Sequence, residues 1–455
     1  MVVNIAGRKT KILSSCLLLM EDYMVEITLR SGENTFKGVL EVNSGVVTFL
    51  KSNNPESTLG WKDLTLSALD NPIDGGPSLS RENLKGKKVV VIVDDWGRPT
   101  PVYLIVPTVI EELRKAGSKD EDISFITASG MHNPMNKEDL ERKLGKEIVE
   151  NFKCYSHDGG DIAQLKFIGI SDLGTPIWIN KVVAEAEYKI AIGRVFPHPT
   201  YGYEGGYKMI VPGVASFETI LRDHGLNFSP YSDYGIVENP SRGEAEAIGK
   251  MVGLDYTINY VMNFQDEPII AYGGRDAIRV QRKCVEYGDN YVWGARYNHP
   301  ADLVIASMGE NEKGWNRVAF ALGMARRVCK DGGIIMFLLP TDEPEDKNEF
   351  RRLSLSELLR LHEKRTWQDL SERDVQWRLK AIRSEFYRRR VFCDKRHIIK
   401  FVGGKVSSLT LEETKGEYYT SFQEALDSCK TLWGKEINVA ILPEASKVVP
   451  LPSNQ

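Results

Sequence analysis

The 455-residue chain has no long apolar run, no large excess of either charge and no paired cysteine motif. No apolar stretch approaches the ~20 residues of a membrane-spanning helix. A net charge of −4 gives no electrostatic case for nucleic acid or an anionic membrane as a bulk partner. The six cysteines (16, 154, 284, 329, 393 and 429) include no Cys-x-x-Cys pair, which argues against a disulfide framework and a zinc knuckle. They read as buried apolar fillers. Residues 11–20 are apolar but few, and Glu-Asp rather than a small-residue cleavage site follows them, so the cytoplasm is the expected compartment. Histidine is scarce, at seven residues. Where those seven fall is therefore informative.

What is present is the alternation of strands and helices. Residues 22–50 alternate in strand fashion, with turn signals at Arg30-Ser-Gly-Glu-Asn and Asn43-Ser-Gly. Residues 88–93 are a β-branched run of buried-strand type, followed by the loop Asp94-Asp-Trp-Gly-Arg-Pro-Thr-Pro and an amphipathic helix over 102–116. Residues 123–128 read as the next strand, with the loop Ser129-Gly-Met-His132-Asn-Pro. Residues 188–193 form a third, leading into Arg194-Val-Phe-Pro-His198 and Gly202-Tyr-Glu-Gly-Gly-Tyr-Lys208. A short helix is expected over 214–223. Strands at 301–307 and 332–340 flank a helix near 317–329.

This pattern predicts an α/β protein of two domains, each with a mostly parallel sheet flanked by helices and with the active site in the cleft between them. The expected domains are residues 1–296, carrying cofactor and catalysis, and residues 297–455, a second α/β domain. Residues 275–300 read as the connection. Residues 341–395, dense in Arg, Lys and Glu, read as a charged helical insertion or lid.

Polar clusters fall at four strand ends, where open α/β sheets bind their ligands. Asp95 and Arg98 suit a ribose hydroxyl and a carboxylate or phosphate, or else a helix cap and a surface ion pair. His132 suits a general base near neutrality, or a structural role. His198 lies between two prolines, which limits its backbone. Lys208, after two glycines, suits a phosphate countercharge or a covalent attachment point. His224 precedes Gly225 at a helix end, as a cap or as a metal ligand. By itself it supplies no complete metal shell. Trp315 and Asn316 occupy the fourth strand end.

Asp95-Trp-Gly-Arg98-Pro-Thr-Pro, Gly130-Met-His132-Asn-Pro, Pro197-His198-x₉-Lys208-x-Ile-Val-Pro-Gly and His224 together resemble the nickel-pincer lactate racemase family, as does Gln376-Trp377. The intervals of ten residues from His198 to Lys208 and sixteen from Lys208 to His224 match that family. The likeness runs from about residue 25 to about residue 440. It implies a nickel-pincer nucleotide attached covalently at Lys208, with His224 as the protein's ligand to nickel. Asp95, Arg98 and Trp377 are then expected at the cofactor, and Arg98 also at the substrate carboxylate. His132 and His198 are the implied acid–base pair. The implied reaction is racemisation or epimerisation of a 2-hydroxy acid by transient hydride transfer through a 2-oxo intermediate. Proteins of cofactor biosynthesis are the implied transient partners.

Two positions depart from the family. Its Tyr-Gln-x-x-Lys run is Trp315-Asn316-Arg317-Val318-Ala319 here, and its Gly-Gly-Arg-Lys is Gly-Gly-Tyr207-Lys. With a cation and a methylene gone, the expected substrate is a larger or more polar 2-hydroxy acid than lactate. The rival readings are an oxidoreductase using the same cofactor and a non-catalytic protein that stores the nucleotide.

Overall fold

The computed structural model describes residues 2–5, 8–10, 17–225, 233–310, 312, 315–344, 353–354, 356–357, 396–429 and 436–453. Strands β1 (Leu17–Gly32) and β2 (Asn34–Phe49) form an antiparallel hairpin whose register closes at Ser31 opposite Asn34. Gly32 at φ 59° takes the left-handed backbone that the turn needs. The second turn signal, Asn43-Ser-Gly45, lies inside β2 instead. Gly45 faces the Ile437 backbone, and a Cβ there would fall inside contact distance of it, so this glycine permits close strand approach.

Residues 54–288 make up one compact unit, in which a six-stranded sheet dominates. In chain order its elements are β3 (Val89–Asp94), α1 (Val102–Lys115), β4 (Ile123–Ala128), β5 (Lys153–Ser156), β6 (Tyr188–Arg194), α2 (Phe217–Gly225), α3 (Pro240–Val252), β7 (Tyr256–Met262) and β8 (Pro268–Gly274). The strand order is β8-β7-β6-β3-β4-β5, parallel throughout except for the β7–β8 pair. Every residue of β3 is buried, as expected of a central strand covered on both faces. Val89, Val91 and Val93 pack with Val102, Ile105, Val106 and Val109 of α1. Val90 and Ile92 join Ile126, Ala191 and Ile210 in a separate core on the other face. Each such side chain contributes about 1.5–3 kcal/mol on burial.

The chain leaves β3 toward β4 but leaves β6 toward β7, on the opposite side. The adjacent pair β3 and β6 is therefore a switch point, and the C-terminal ends of such a pair are where open α/β sheets take their ligands.

The second unit joins residues 1–53 to those after 288. Helix α4 (Ala277–Tyr291) precedes it, occupying most of the stretch expected as a connection. The unit's later elements are β9 (Ala301–Ser307), α5 (Trp315–Val328), β10 (Cys329–Leu338), β11 (Ile398–Val402), β12 (Glu417–Tyr419) and β13 (Ile437–Leu442). Its sheet runs β1-β2-β13-β9-β10-β11-β12 through its main part, and β2 to β12 are all parallel neighbours. A single boundary at residue 296 thus differs from the observed division. The chain does pass from one unit to the other at residue 288, but β2 hydrogen-bonds along β13, which draws the first 53 residues into the second unit. The charged segment expected over 341–395 lies almost wholly outside the described residues. No helix among the described residues is long and apolar enough to cross a membrane.

Candidate active site

The loop after β3 is anchored by its first residue. Asp94 accepts a hydrogen bond from Thr100 Oγ1 at 2.6 Å and pairs with Lys143 Nζ at 2.6 Å. Lys143 also donates to the carbonyls of Arg98 (3.0 Å) and Thr100 (2.9 Å). Both partners are buried, and removing either would leave a charge uncompensated, at about 3–5 kcal/mol. Because successive strand residues face opposite ways, Asp95 turns elsewhere. Its Oδ2 lies 2.5 Å from His132 Nδ1, at the end of β4. Asp95 is buried and His132 is partly exposed, with the exposed Trp96 ring 6.1 Å from the imidazole.

The loop after β6 folds into a short hairpin of Pro197–His198 against Gly202–Tyr203. His198 Nδ1 accepts from the backbone N–H of Thr200 (3.1 Å) and Tyr201 (3.4 Å). Glu204 follows, buried between two guanidinium groups: Arg98 Nε at 2.5 Å and Arg194 Nε at 2.8 Å. Burial alone would raise its carboxyl pKa, but Arg98, Arg194 and Lys208 overcome that and hold it at about 2. Arg98 also donates Nη1 to the Gly97 carbonyl. Behind this hairpin the buried Arg242 of α3 donates to the carbonyls of Tyr201, Tyr203 and Gly205.

Tyr201 is the meeting point. Its ring lies 5.5 Å from that of His198 and 5.4 Å from that of His224, and Lys208 Nζ sits 5.8 Å from its centroid. Lys208 and His224 therefore border one aromatic ring although they lie sixteen positions apart in the chain. Gly213 permits the fold-back, since a Cβ there would fall inside contact distance of the Met209 carbonyl. Burial, then the positive charge of Arg98, pulls the Lys208 amine down to about 7. His224 is buried, with Nδ1 3.2 Å from Asp223 Oδ2 and 3.3 Å from Tyr201 Oη. Tyr201 Oη also donates to Asp223.

Asp95, Arg98, His132, His198, Lys208 and His224 thus all lie on the first unit, on loops and a helix that follow β3, β4 and β6. Helix α2 starts at Phe217, later than expected, because Ser216 caps it through the Thr219 N–H while Val214 belongs to a turn and Ala215 to an isolated bridge with Ile179. Trp315 and Asn316 open α5 of the second unit; the Asn316 side chain and all of Trp377 lie outside the described residues. Tyr207, at the family's arginine position, packs its ring against Gly249 of α3 and belongs to the core. His157 is structural: buried, Nε2 2.9 Å from the Ala215 carbonyl, and driven by burial to a pKa of about 4.

Four residues had no role in the sequence reading: Glu204, Arg194, Tyr201 and Asp223. Glu204 stood in plain view in Gly202-Tyr-Glu-Gly-Gly-Tyr-Lys208, and its position within that glycine-rich run was the available signal. Among the described residues no group of three or more His, Cys, Asp or Glu could hold a metal ion. His224 can be one ligand only.

Residues 35–235 match the sequence profile of the lactate racemase N-terminal domain. A lactate racemase of Thermoanaerobacterium thermosaccharolyticum is 30% identical over 292 residues, which is 63% of this chain and 67% of that protein. A lactate racemase of Lactiplantibacillus plantarum is 34% identical over 216 residues, 47% of this chain and 50% of that one. In three dimensions the chain resembles the lactate racemase apoprotein of T. thermosaccharolyticum with a TM-score of 0.71 at 22% identity, over 94% of this chain and 100% of that one. A Thermotoga maritima protein gives 0.56 at 18% identity, over 89% and 100%. With its switch-point loops and its sequence likeness in agreement, this chain belongs to the lactate racemase family.

Proposed function

We propose that this protein racemises or epimerises a 2-hydroxy acid other than, or larger than, lactate, with a nickel-pincer nucleotide held by Lys208 and His224. The isomerase class comes with family membership, which also implies a nickel-dependent cofactor. The observation that carries the finer reading is the approach of Lys208 and His224 to the one Tyr201 ring, beside His198.

The residues fit such a group. An imidazole whose Nδ1 faces a carboxylate, as His224 faces Asp223, is oriented to ligate a metal through Nε2. An amine with a pKa of about 7 is substantially neutral near neutrality, the form able to make a covalent attachment. Because no group of three or more ligating side chains surrounds His224 among the described residues, the remaining donors would come from the cofactor. Asp95, Arg98 and Trp377 are proposed as further cofactor contacts. When bound, the group would accept a hydride from the substrate Cα and return it to either face of the flat 2-oxo acid.

The chain's own groups bind the substrate and move its proton. Arg98 has Nε on Glu204 and Nη1 on Gly97, which leaves Nη2 for a substrate carboxylate. His132 and His198 serve the hydroxyl proton, a role worth about 10²–10⁴ in rate. Trp315 and Asn316 are proposed substrate contacts. Ala319, where the family has lysine, supports a bulkier or more polar acid, such as a sugar acid or an aryl or dicarboxylic hydroxy acid.

Intact mass of protein from its native source should show an adduct on Lys208 together with bound nickel. The loaded enzyme, offered a panel of chiral 2-hydroxy acids, should give the epimer with no added electron acceptor. Lack of both adduct and nickel would sink the cofactor assignment. Turnover confined to lactate would overturn the substrate, and dependence on an external acceptor would favour an oxidoreductase.

A further inference from the structure

We infer that Lys143 is a positioning residue, which registers the loop carrying Asp95 and Arg98 against the loop carrying His132. The inference rests on the reading above that Arg98 receives the substrate carboxylate, and it adds a residue that acts through Arg98.

An ammonium has three N–H donors and no acceptor, and each donor of Lys143 has a partner. Its Nζ lies 2.6 Å from Asp94 Oδ1, 3.0 Å from the Arg98 carbonyl and 2.9 Å from that of Thr100. The two carbonyls flank Pro99, and neither Pro99 nor Pro101 has an N–H to hold this stretch from within. Lys143 holds it from outside. Thr100 Oγ1 donates to the other oxygen of Asp94, and the Arg98 N–H to the Asp95 carbonyl at 3.1 Å, so the backbone is fixed on both sides of Arg98.

The lysine stands on a firm base. Its helix, Lys137–Leu144, begins five residues after His132 and is capped by Asn136, which accepts the Asp139 N–H at 2.9 Å. Leu140 and Leu144 are buried in the same core as Val102 and Ile105 of α1. The His132 N–H donates to the Ser129 carbonyl at 2.8 Å, which holds the other end of the connecting loop. The two loops are therefore tied twice, once through Asp95 and His132 and once through Lys143.

Stability alone does not call for this arrangement. Replacing a buried ion pair by uncharged groups of similar size often leaves a protein as stable as before, whereas removing one partner is strongly destabilising. What the lysine adds beyond its carboxylate is the two carbonyl bonds. They set where the Arg98 backbone stands, and hence where its guanidinium can reach.

The ion pair and the carbonyl bonds can be separated by mutation. Lys143→Met leaves Asp94 buried without its cation, so the urea midpoint should fall. Adding Asp94→Asn removes that charge and keeps an acceptor for Thr100, so most of the midpoint should return. The Arg98 and Thr100 carbonyls still lack their lysine. In the full-length apoprotein, hydrogen exchange over residues 95–100 should therefore be faster than in the parent in both variants, while 123–128 keep their protection. In the nickel-loaded enzyme, with lactate, glycerate, malate and phenyllactate as probes, both variants should raise KM about tenfold and change kcat by less than about threefold, for a misplaced binding group. Parent-like protection over 95–100, or a parent-like KM in the double variant, would overturn the inference and leave Lys143 a stabilising residue alone. A loaded parent inactive on every probe would instead count against the proposed reaction, and the exchange comparison would still judge the clamp.

Discussion

Glu204 decides the charge balance of the site. It sits between Arg98 and Arg194, with Lys208 close enough to feel its charge. The carboxylate favours the protonated amine of Lys208, against burial and the positive charge of Arg98. Glu204→Gln removes that support, so the amine pKa should fall below about 7 and a larger neutral fraction should exist at neutral pH. Amine-selective labelling of Lys208 as a function of pH measures this, and a curve moved upward would contradict it. The same change leaves two guanidinium groups without their shared counterion, and stability should drop by about 3–5 kcal/mol. At this scale the sequence was partly legible. Asp95, Arg98, His132, His198, Lys208 and His224 could be picked out by residue type and spacing. Glu204 could not be given a role, because what makes it matter is burial between charges contributed by two different strand ends. The family's Gly-Gly-Arg-Lys pattern has an arginine where this chain has Tyr207, and Tyr207 is turned toward α3. Which way a side chain faces after two glycines is set by their backbone angles, φ 82° at Gly205 and 61° at Gly206, and no residue pattern states them.

Elements were read best where their hydrophobic signal was continuous. The strand β3 and helix α1 fell where the β-branched run and the amphipathic period put them, since both are determined by residues adjacent in sequence. Strands β7 and β8 were not anticipated. Helix α2 began late, because the Ser216 cap outweighs the apolar residues before it. Helix α3 offers a test of how packing supports the site. A Cβ on Gly249 would overlap the Tyr207 ring, next to Lys208, whereas a Cβ on Gly243 of the same helix meets nothing within 4 Å. Gly249→Ala should cost about 1–3 kcal/mol by overpacking, and Gly243→Ala should be neutral or stabilising by up to about 1 kcal/mol. Urea unfolding of the two variants compares them. Equal midpoints would mean that Tyr207 yields without strain.

At the scale of the molecule, composition and strand–helix alternation gave the α/β class and the parallel sheets. They did not give the membership of the N-terminal hairpin. Pairing between β2 and β13 joins residues 45–49 to residues 437–441, and no local pattern reports a contact so distant in sequence. Deleting residues 1–53 should leave the β13 edge unpaired and selectively weaken the second unit. Hydrogen exchange should then accelerate in 301–307, 329–338 and 437–442, while 89–94 and 123–128 keep their protection. Uniform loss of protection would argue that the two units unfold together.

The hairpin also sets a schedule for biosynthesis. Strand β2 is translated almost four hundred residues before its partner β13, so throughout that interval it presents unsatisfied N–H and C=O groups beside its apolar face. Such a strand can pair with a neighbouring nascent chain before its own partner exists. The first unit, whose sheet is closed within residues 89–274, has no such wait. The part of the protein that carries the candidate chemistry can therefore mature while its other half is still being translated.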